Sequence, residues 1–266
     1  MRVGVIGCGA ISSVIVGAAV SEGFANIVAL FDRHVDRAER LATRCNAIAA
    51  KTFDEFLEVE MDVVVEAASQ QAVAMYAERV LEKADLMIMS VGALADGKLL
   101  KRIIEAAERN SHKIYLPSGA VAGIDALKAV ADLIEEVVLT TRKNPESLKG
   151  APFFESAGIK PEDIKEETLL FEGSAREAVV LFPQNINVAA IVSLAGVGFD
   201  RTKVRIIADP GLRTNIHEIR AKGSFGEIVT TTNNVPSPQN PKTSYLAALS
   251  AVRTLKNLRQ KIVIGT

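Results

Sequence analysis

The 266-residue chain carries 31 Lys and Arg against 32 Asp and Glu, for a net charge of −1, with 48% apolar and 24% charged residues. That balance is globular and long enough for a sizeable core in one large domain or two small ones. It excludes the basic footprint expected of a nucleic-acid or membrane-surface partner, and Cys8 and Cys45 form neither a disulfide framework nor a zinc-ligand spacing, so a reducing cytoplasm is the expected home.

The first residues allow two readings. Met1-Arg2 followed by the largely apolar run Val3–Val20 resembles a signal peptide or a short membrane span. Gly4, Gly7 and Gly9 crowd the first half, however, where a signal core wants helix formers, and strand–turn–helix explains more of the residues. Arg2–Ile6 reads as a buried strand and Gly7–Ala10 as a tight turn. Ile11–Glu22 reads as a helix with Gly23 as its C-cap.

The alternation continues. Strands are predicted at Ile27–Phe31, near Ile48, and at Asp62–Val65, Leu86–Met89 and Lys113–Leu116. Helices are predicted at Val35–Arg44, Gln70–Glu82 and Lys98–Arg109. Short apolar strands alternating with amphipathic helices specify a parallel sheet covered on both faces, and six strands fit the doubly wound order 3-2-1-4-5-6. The fold class is therefore α/β, an N-terminal Rossmann domain with a second, smaller α+β domain.

After Gly119 the rhythm changes. Ile124–Glu136 reads as helix, Val137–Thr141 as strand, Lys143–Glu167 as a long loop, Thr168–Phe171 as strand, and Ala175–Phe182 and Asn187–Gly196 as helices. Val204–Ala208, Ile216–Ala221 and Glu227–Thr232 read as antiparallel strands, the last two joined by a hairpin through Gly223–Gly226. Asn233–Pro241 reads as a link. A final helix, Ser244–Gln260, with Thr243 as N-cap, should return its apolar positions Leu246, Leu249, Val252, Leu255 and Leu258 to the first domain. The expected domains are 1–118 plus 243–266 for dinucleotide binding and 119–242 for substrate and dimerisation.

Gly7-Cys8-Gly9-Ala10-Ile11-Ser12 spells G-x-G-x-x-S between strand and helix. The first glycine makes the turn, the second lets the backbone approach a pyrophosphate, and the third position, usually Gly or Ala, packs helix on strand. The helix N-terminus, with Ala10 and Ile11, offers N–H groups to the phosphates. Asp32, at the end of the second strand, is placed to accept ribose hydroxyls and favours NAD, because a carboxylate repels a 2′-phosphate. Arg33 either pairs with a 2′-phosphate, leaving NADP use open, or is solvated. Small residues at the carboxyl ends of strands four and five, Ala68 and Ser69 among them, leave room for the cofactor or are ordinary turns.

Of the three histidines, His34 falls beside Asp32 and His112 before the sixth strand. Only His217 lies in the second domain, where it is either a packed strand residue or an acid–base group. In Pro183-Gln184-Asn185-Ile186-Asn187 two asparagines precede or enter an apolar helix, as caps or as carboxamides aimed at a ligand. No nucleophile elbow or metal-ligand cluster is visible.

Taken together, Gly7–Ile11, Val65–Val73, Ser118–Ala120, Leu139–Lys143, Phe171–Ala175, Phe182–Ala190, Asn215–Ile219 and Pro241–Leu246 resemble the L-aspartate dehydrogenases, a dihydrodipicolinate reductase-like family, nearly end to end. The resemblance implies His217 as the catalytic residue and Ala120 and Asn187 as cofactor contacts. It implies NAD(P)-dependent oxidation of L-aspartate to iminosuccinate, which gives oxaloacetate and ammonia or feeds quinolinate and NAD synthesis through a quinolinate synthase. A homodimer is expected, with one face of the second sheet at the site and the other against a second subunit. Ser12 departs from the family's third glycine, which would loosen cofactor binding, and the 143–167 loop is long. Arg142, Lys143 or backbone N–H groups remain open as carboxylate anchors. Ser90-Val91-Gly92-Ala93, in place of an E-K-P motif, disfavours the glucose–fructose oxidoreductase group. A homoserine or sugar dehydrogenase, or a catalytically silent NAD-binding regulator, is the competing reading.

Overall fold

The structure, a computed structural model, describes residues 1–183, 186–237, 240–262 and 264. The chain divides into two compact units, Met1–Pro117 with Ala248–Ile262, and Ser118–Ala247.

The first unit runs β1 (Arg2–Ile6), α1 (Ala10–Glu22), β2 (Asn26–Phe31), α2 (Val35–Ala42), β3 (Ile48–Ala50), α3 (Phe53–Glu58), β4 (Val63–Glu66), α4 (Gln70–Val80), β5 (Asp85–Ile88), a 3-10 turn over Val91–Ala95, α5 (Gly97–Asn110) and β6 (Ile114–Tyr115). All six strands are parallel, in the order β3-β2-β1-β4-β5-β6. β4 is buried at every position, as a strand covered on both faces must be. Gly23 ends α1 in the left-handed region, at φ 67°, as the sequence predicts.

α3 was not expected. It has only six residues, too few to show a period, yet Thr52 caps it by accepting from the Glu55 amide at 3.1 Å. Its buried Phe53 and Phe56 join Phe31 and Tyr76 in an aromatic cluster, with the Phe53 and Tyr76 rings stacked at 4.1 Å.

The second unit runs α6 (Ile124–Ala129), β7 (Ile134–Lys143), α7 (Pro152–Ala157), β8 (Thr168–Ser174), α8 (Ala175–Leu181), α9 (Asn187–Ala195), β9 (Thr202–Ala208), β10 (Asn215–Gly223), β11 (Gly226–Asn234), β12 (Pro236–Ser237) and β13 (Asn240–Ser244). The helix expected to reach Glu136 stops at Ala129. Ile134–Glu136 instead extend β7, which pairs with β10 from Ile134 to Arg142, so strand pairing overrides the local helical pattern. The large sheet has the order β11-β10-β7-β9-β8 and is mixed. β9 lies parallel to β7, against the antiparallel arrangement expected, because the chain crosses over through β8, α8 and α9 before returning.

Residues 143–167 are not an open loop. Pro145, Pro152 and Pro161 each open a helical turn, a position where a missing N–H costs nothing. The link predicted at Asn233–Pro241 is instead the end of β11 followed by β12 and β13, which pair antiparallel.

The last helix, α10 (Tyr245–Asn257), begins one residue later than predicted. Its buried stripe is Ala248, Ala251, Val252 and Leu255, whereas Leu246 and Leu249 are 36% and 41% exposed. The face is thus rotated from the leucine-rich one expected, and the alanines let the backbone approach closely. Ala251, Val252 and Leu255 share one core with Val3, Val5, Ile15 and Val16 of the first unit. No described helix is long and apolar enough to cross a membrane.

Candidate active site

The turn after β1 is fixed by its own backbone. Gly7 has φ 89°, a left-handed conformation that favours glycine, and a Cβ there would lie 2.6 Å from the Ala68 Cβ and 2.8 Å from the Ala67 carbonyl oxygen. A Cβ at Gly9 would meet nothing within 4 Å, so the second glycine leaves open space over the start of α1. The first N–H groups of any helix lack internal acceptors, which suits this opening to a pyrophosphate. Ser12 is fully buried, and its hydroxyl donates to the Gly7 carbonyl oxygen at 2.5 Å, tying α1 to the turn.

Asp32 straps the same turn. One carboxylate oxygen accepts from the Cys8 amide and the other from the His34 amide, both at 2.8 Å. Burial, with the Asp32 charge second, pushes the Cys8 thiol up to about 12, so it is an inert small residue here. A cleft of about 370 Å³ opens beside the turn, lined by Gly7, Gly9, Asp32, Arg33, Ala68 and Ser69, with Phe31, Met75 and Tyr76 as its larger apolar and aromatic walls. Arg37 lines this cleft and also a neighbouring cavity of about 310 Å³ that Arg40 and Arg44 share. Glycine turn, open helix end, carboxylate and cleft fit a dinucleotide.

Glu66, at the end of β4, was not singled out from the sequence. It is buried, and its carboxylate accepts from the Ala68 and Ser69 amides at 2.8 and 2.9 Å and from the Ser90 amide and hydroxyl at 3.0 and 2.9 Å. It therefore clamps the carboxyl ends of β4 and β5 together. Burial raises its pKa, opposed by those hydrogen bonds.

The second unit holds His217 on a polar strip of sheet. His217 lies opposite Thr141 on β7 and Thr232 on β11, so these three share a face. The Thr141 hydroxyl is 3.0 Å from His217 Nδ1. Two residues along β7 on that face is Lys143, and two along β10 is Asn215, opposite Asn234. The carbonyl of Ala120 accepts from Thr232 Oγ1 at 2.8 Å and Asn234 Nδ2 at 2.9 Å, pinning residues 118–122 onto the strip. Asn215 Nδ2 donates to Ser244 Oγ at 3.3 Å. His217 is 2% exposed and Lys143 5%. Burial, and then the charge of Lys143, lowers His217 to about 3, so the imidazole is neutral at working pH. Burial alone lowers Lys143 to about 8.

Of the residues singled out from the sequence, Gly7, Gly9, Asp32, Arg33, Ala68 and Ser69 meet at one cleft, and Ala10 and Ile11 open the helix beside it. His217 and Ala120 belong to the strip in the second unit. Asn187 is the half-buried first residue of α9, not its cap. Gln184 and Asn185 lie outside the described residues. The sequence reading left Lys143 among several options and missed the roles of Thr141, Thr232 and Asn234. Their alternation on β7 and β11 was the available signal, but cross-strand register is needed to read it.

Comparison with known proteins follows the same division. The homoserine dehydrogenase NAD-binding domain family matches residues 7–117, and the family described as aspartate dehydrogenase, C-terminal, matches residues 125–258. The chain is 52% identical over 272 residues to the L-aspartate dehydrogenase of Methanosarcina barkeri, with 100% of both chains covered. It is 45% identical to that of Nitrosopumilus maritimus, covering 100% of this chain and 99% of the relative. The crystal structure of aspartate dehydrogenase from Thermotoga maritima superposes with a TM-score of 0.77 at 32% identity, covering 100% and 99%. The chain belongs to the L-aspartate dehydrogenase family, NAD(P)-dependent oxidoreductases that act on a CH–NH2 group.

Proposed function

We propose that this chain oxidises L-aspartate: the substrate and NAD(P)+ give iminosuccinate, NAD(P)H and a proton. The observation that carries the reading is the buried, neutral His217, held by Thr141 on a polar strip beside Lys143, in a chain that also carries a dinucleotide turn. Bound nicotinamide supplies a hydride acceptor at C4. The chain's own residues do the rest. Gly7, Gly9, Ala10 and Ile11 take the pyrophosphate on backbone N–H groups, with Ala68 and Ser69 along the cleft wall. Asp32 takes the ribose hydroxyls and favours NAD+, while Arg33 and Arg37, in the same cleft, leave room for NADP+. The family resemblance, rather than a measured contact, brings Ala120 and Asn187 in as cofactor residues.

His217 is the catalytic residue in this reading. As a neutral imidazole fixed through Nδ1, it offers Nε2 to the substrate or to the water that attacks the imine. The product either hydrolyses to oxaloacetate and ammonia or passes to a quinolinate synthase, which would place the enzyme in pyridine nucleotide biosynthesis. Residues 1–118 with 243–266 serve the cofactor and 119–242 the substrate and a homodimer, in the cytoplasm.

The test is absorbance at the NADH band, with L-aspartate and NAD+, then with oxaloacetate, ammonia and NADH. Turnover on aspartate in preference to homoserine or sugars is expected. Cofactor binding without turnover on any amino acid would leave the silent-regulator reading standing instead.

A further inference from the structure

The α-ammonium of an amino acid must lose a proton before hydride can leave its Cα, and the residue that takes that proton is open. The polar strip holds two titratable side chains, Lys143 and His217. They occupy one face of the β7–β10 pair, offset by a single two-residue step, and both are buried. Three charged residues on the adjoining segments have placements of their own. Arg142 alternates to the opposite face of β7. Asp209, after β9, donates its amide to the Lys143 carbonyl at 2.9 Å, and its Oδ1 accepts from Gly211. Glu146, in the following turn, is exposed and pairs with Lys149 at 3.7 Å.

We propose that Lys143 is a second catalytic residue, the base that accepts the proton of the substrate's α-ammonium, with His217 as its neighbour on the same sheet face. This rests on the aspartate reading above. In the step, one N–H bond of the substrate ammonium breaks and one forms at Lys143 Nζ. The substrate leaves the step as a free amine and the lysine as an ammonium ion. The amine's lone pair then supports departure of hydride from Cα to the bound nicotinamide.

Relative basicity decides between the two side chains. Burial lowers Lys143 only to about 8, within reach of an α-ammonium, whereas burial and the Lys143 charge bring His217 to about 3, which leaves it the weaker base. Burial keeps His217 neutral in the first place, and a protonated Lys143 beside it adds to that by disfavouring a second cation.

The experiment compares wild type with Lys143→Met and Lys143→Arg. It measures kcat/KM for L-aspartate across pH, NADH affinity by fluorescence, and inhibition by succinate, which has both carboxylates and no amine. Wild-type kcat/KM should rise with pH through about 8. Both variants should lose roughly 10²–10⁴-fold in kcat/KM and lose that limb, because neither Met nor Arg can accept the proton. NADH and succinate binding should stay near wild type. If Lys143→Arg restores activity, or Lys143→Met loses succinate binding, Lys143 is a carboxylate anchor and the proposal falls. A wild-type profile without a limb near pH 8 overturns it with no variant, even if Lys143→Met fails to fold. A wild type that forms no NADH from aspartate overturns both readings, whereas an active Lys143→Met overturns this one alone.

Discussion

The glycine turn of the first unit and the polar strip of the second are both functional surfaces, but they are built in opposite ways. The turn is local. Gly7 to Asp32 spans one helix and one strand, and its groups are mainly backbone N–H, held by Asp32 and Ser12. The strip gathers side chains from residues 141, 143, 217, 232 and 234 on three strands, with the Ala120 carbonyl from a connecting segment, and nothing closer than cross-strand register brings them together. A backbone site tolerates many side chains but not a changed dihedral. A side-chain site tolerates little change in identity and depends on pairing far away. Cofactor affinity should therefore break at the turn and proton chemistry at the strip.

The largest separation is expected at His217. His217→Ala should lower turnover by roughly 10²–10⁴-fold, the size usual for acid–base catalysis, and leave NAD+ affinity intact. A rise in KM with little change in kcat would instead make it a substrate anchor, and near-normal kinetics in a folded variant would make it a packed strand residue.

Gly7→Ala tests the other region. The added methyl would enter contact at 2.6 Å with the Ala68 Cβ, in a backbone conformation that L-residues rarely adopt. A cost on the order of 1–3 kcal/mol is expected, which if borne by the bound state weakens NAD+ binding roughly 5- to 150-fold by calorimetry while His217 and its pH behaviour stay unchanged. Unaltered affinity would remove the turn from the cofactor site.

A third test uses stability. The native His217 refuses a proton down to about pH 3, whereas the unfolded chain accepts one near 6.5. Between those values the unfolded state binds more protons, so stability present above 6.5 is lost as pH falls through the window. The loss should reach roughly 3 kcal/mol by pH 4, taking about 1.36 kcal/mol per unit. Denaturant melts of wild type and His217→Gln at pH 6.5, 5 and 4 read this directly. Parallel curves would contradict the buried neutral imidazole.

The smallest expected effects are refinements. Thr141→Val removes the partner of His217 Nδ1 and should cost roughly tenfold in kcat, as loss of an orienting group usually does. Asp32→Ala should narrow the preference for NAD+ over NADP+. A wild type that prefers NADP+ would show that Asp32 has another role.

How much was legible from the sequence follows the same contrast. The strand–turn–helix of Gly7–Ile11, the acid at Asp32 and the sheet order all follow from local pattern, because glycine placement and apolar periodicity are local signals. His217 was visible as one histidine on a half-polar strand. Thr141 and Lys143 were not separable from Thr140 and Arg142, since only register says which faces His217. The start of β7 before Val137 and the parallel return of β9 were hidden for the same reason. Glu66 was hidden because a strand-end carboxylate is ordinary until its four donors are seen.

The central claim is that this chain removes hydride from the α-carbon of aspartate. L-Aspartate deuterated at Cα, turned over with NAD+ and read by mass spectrometry of the reduced nicotinamide, tests it most directly. The account predicts one deuterium per reduced cofactor and a slower rate with the labelled substrate. Reduced cofactor without label, or none formed, would contradict it.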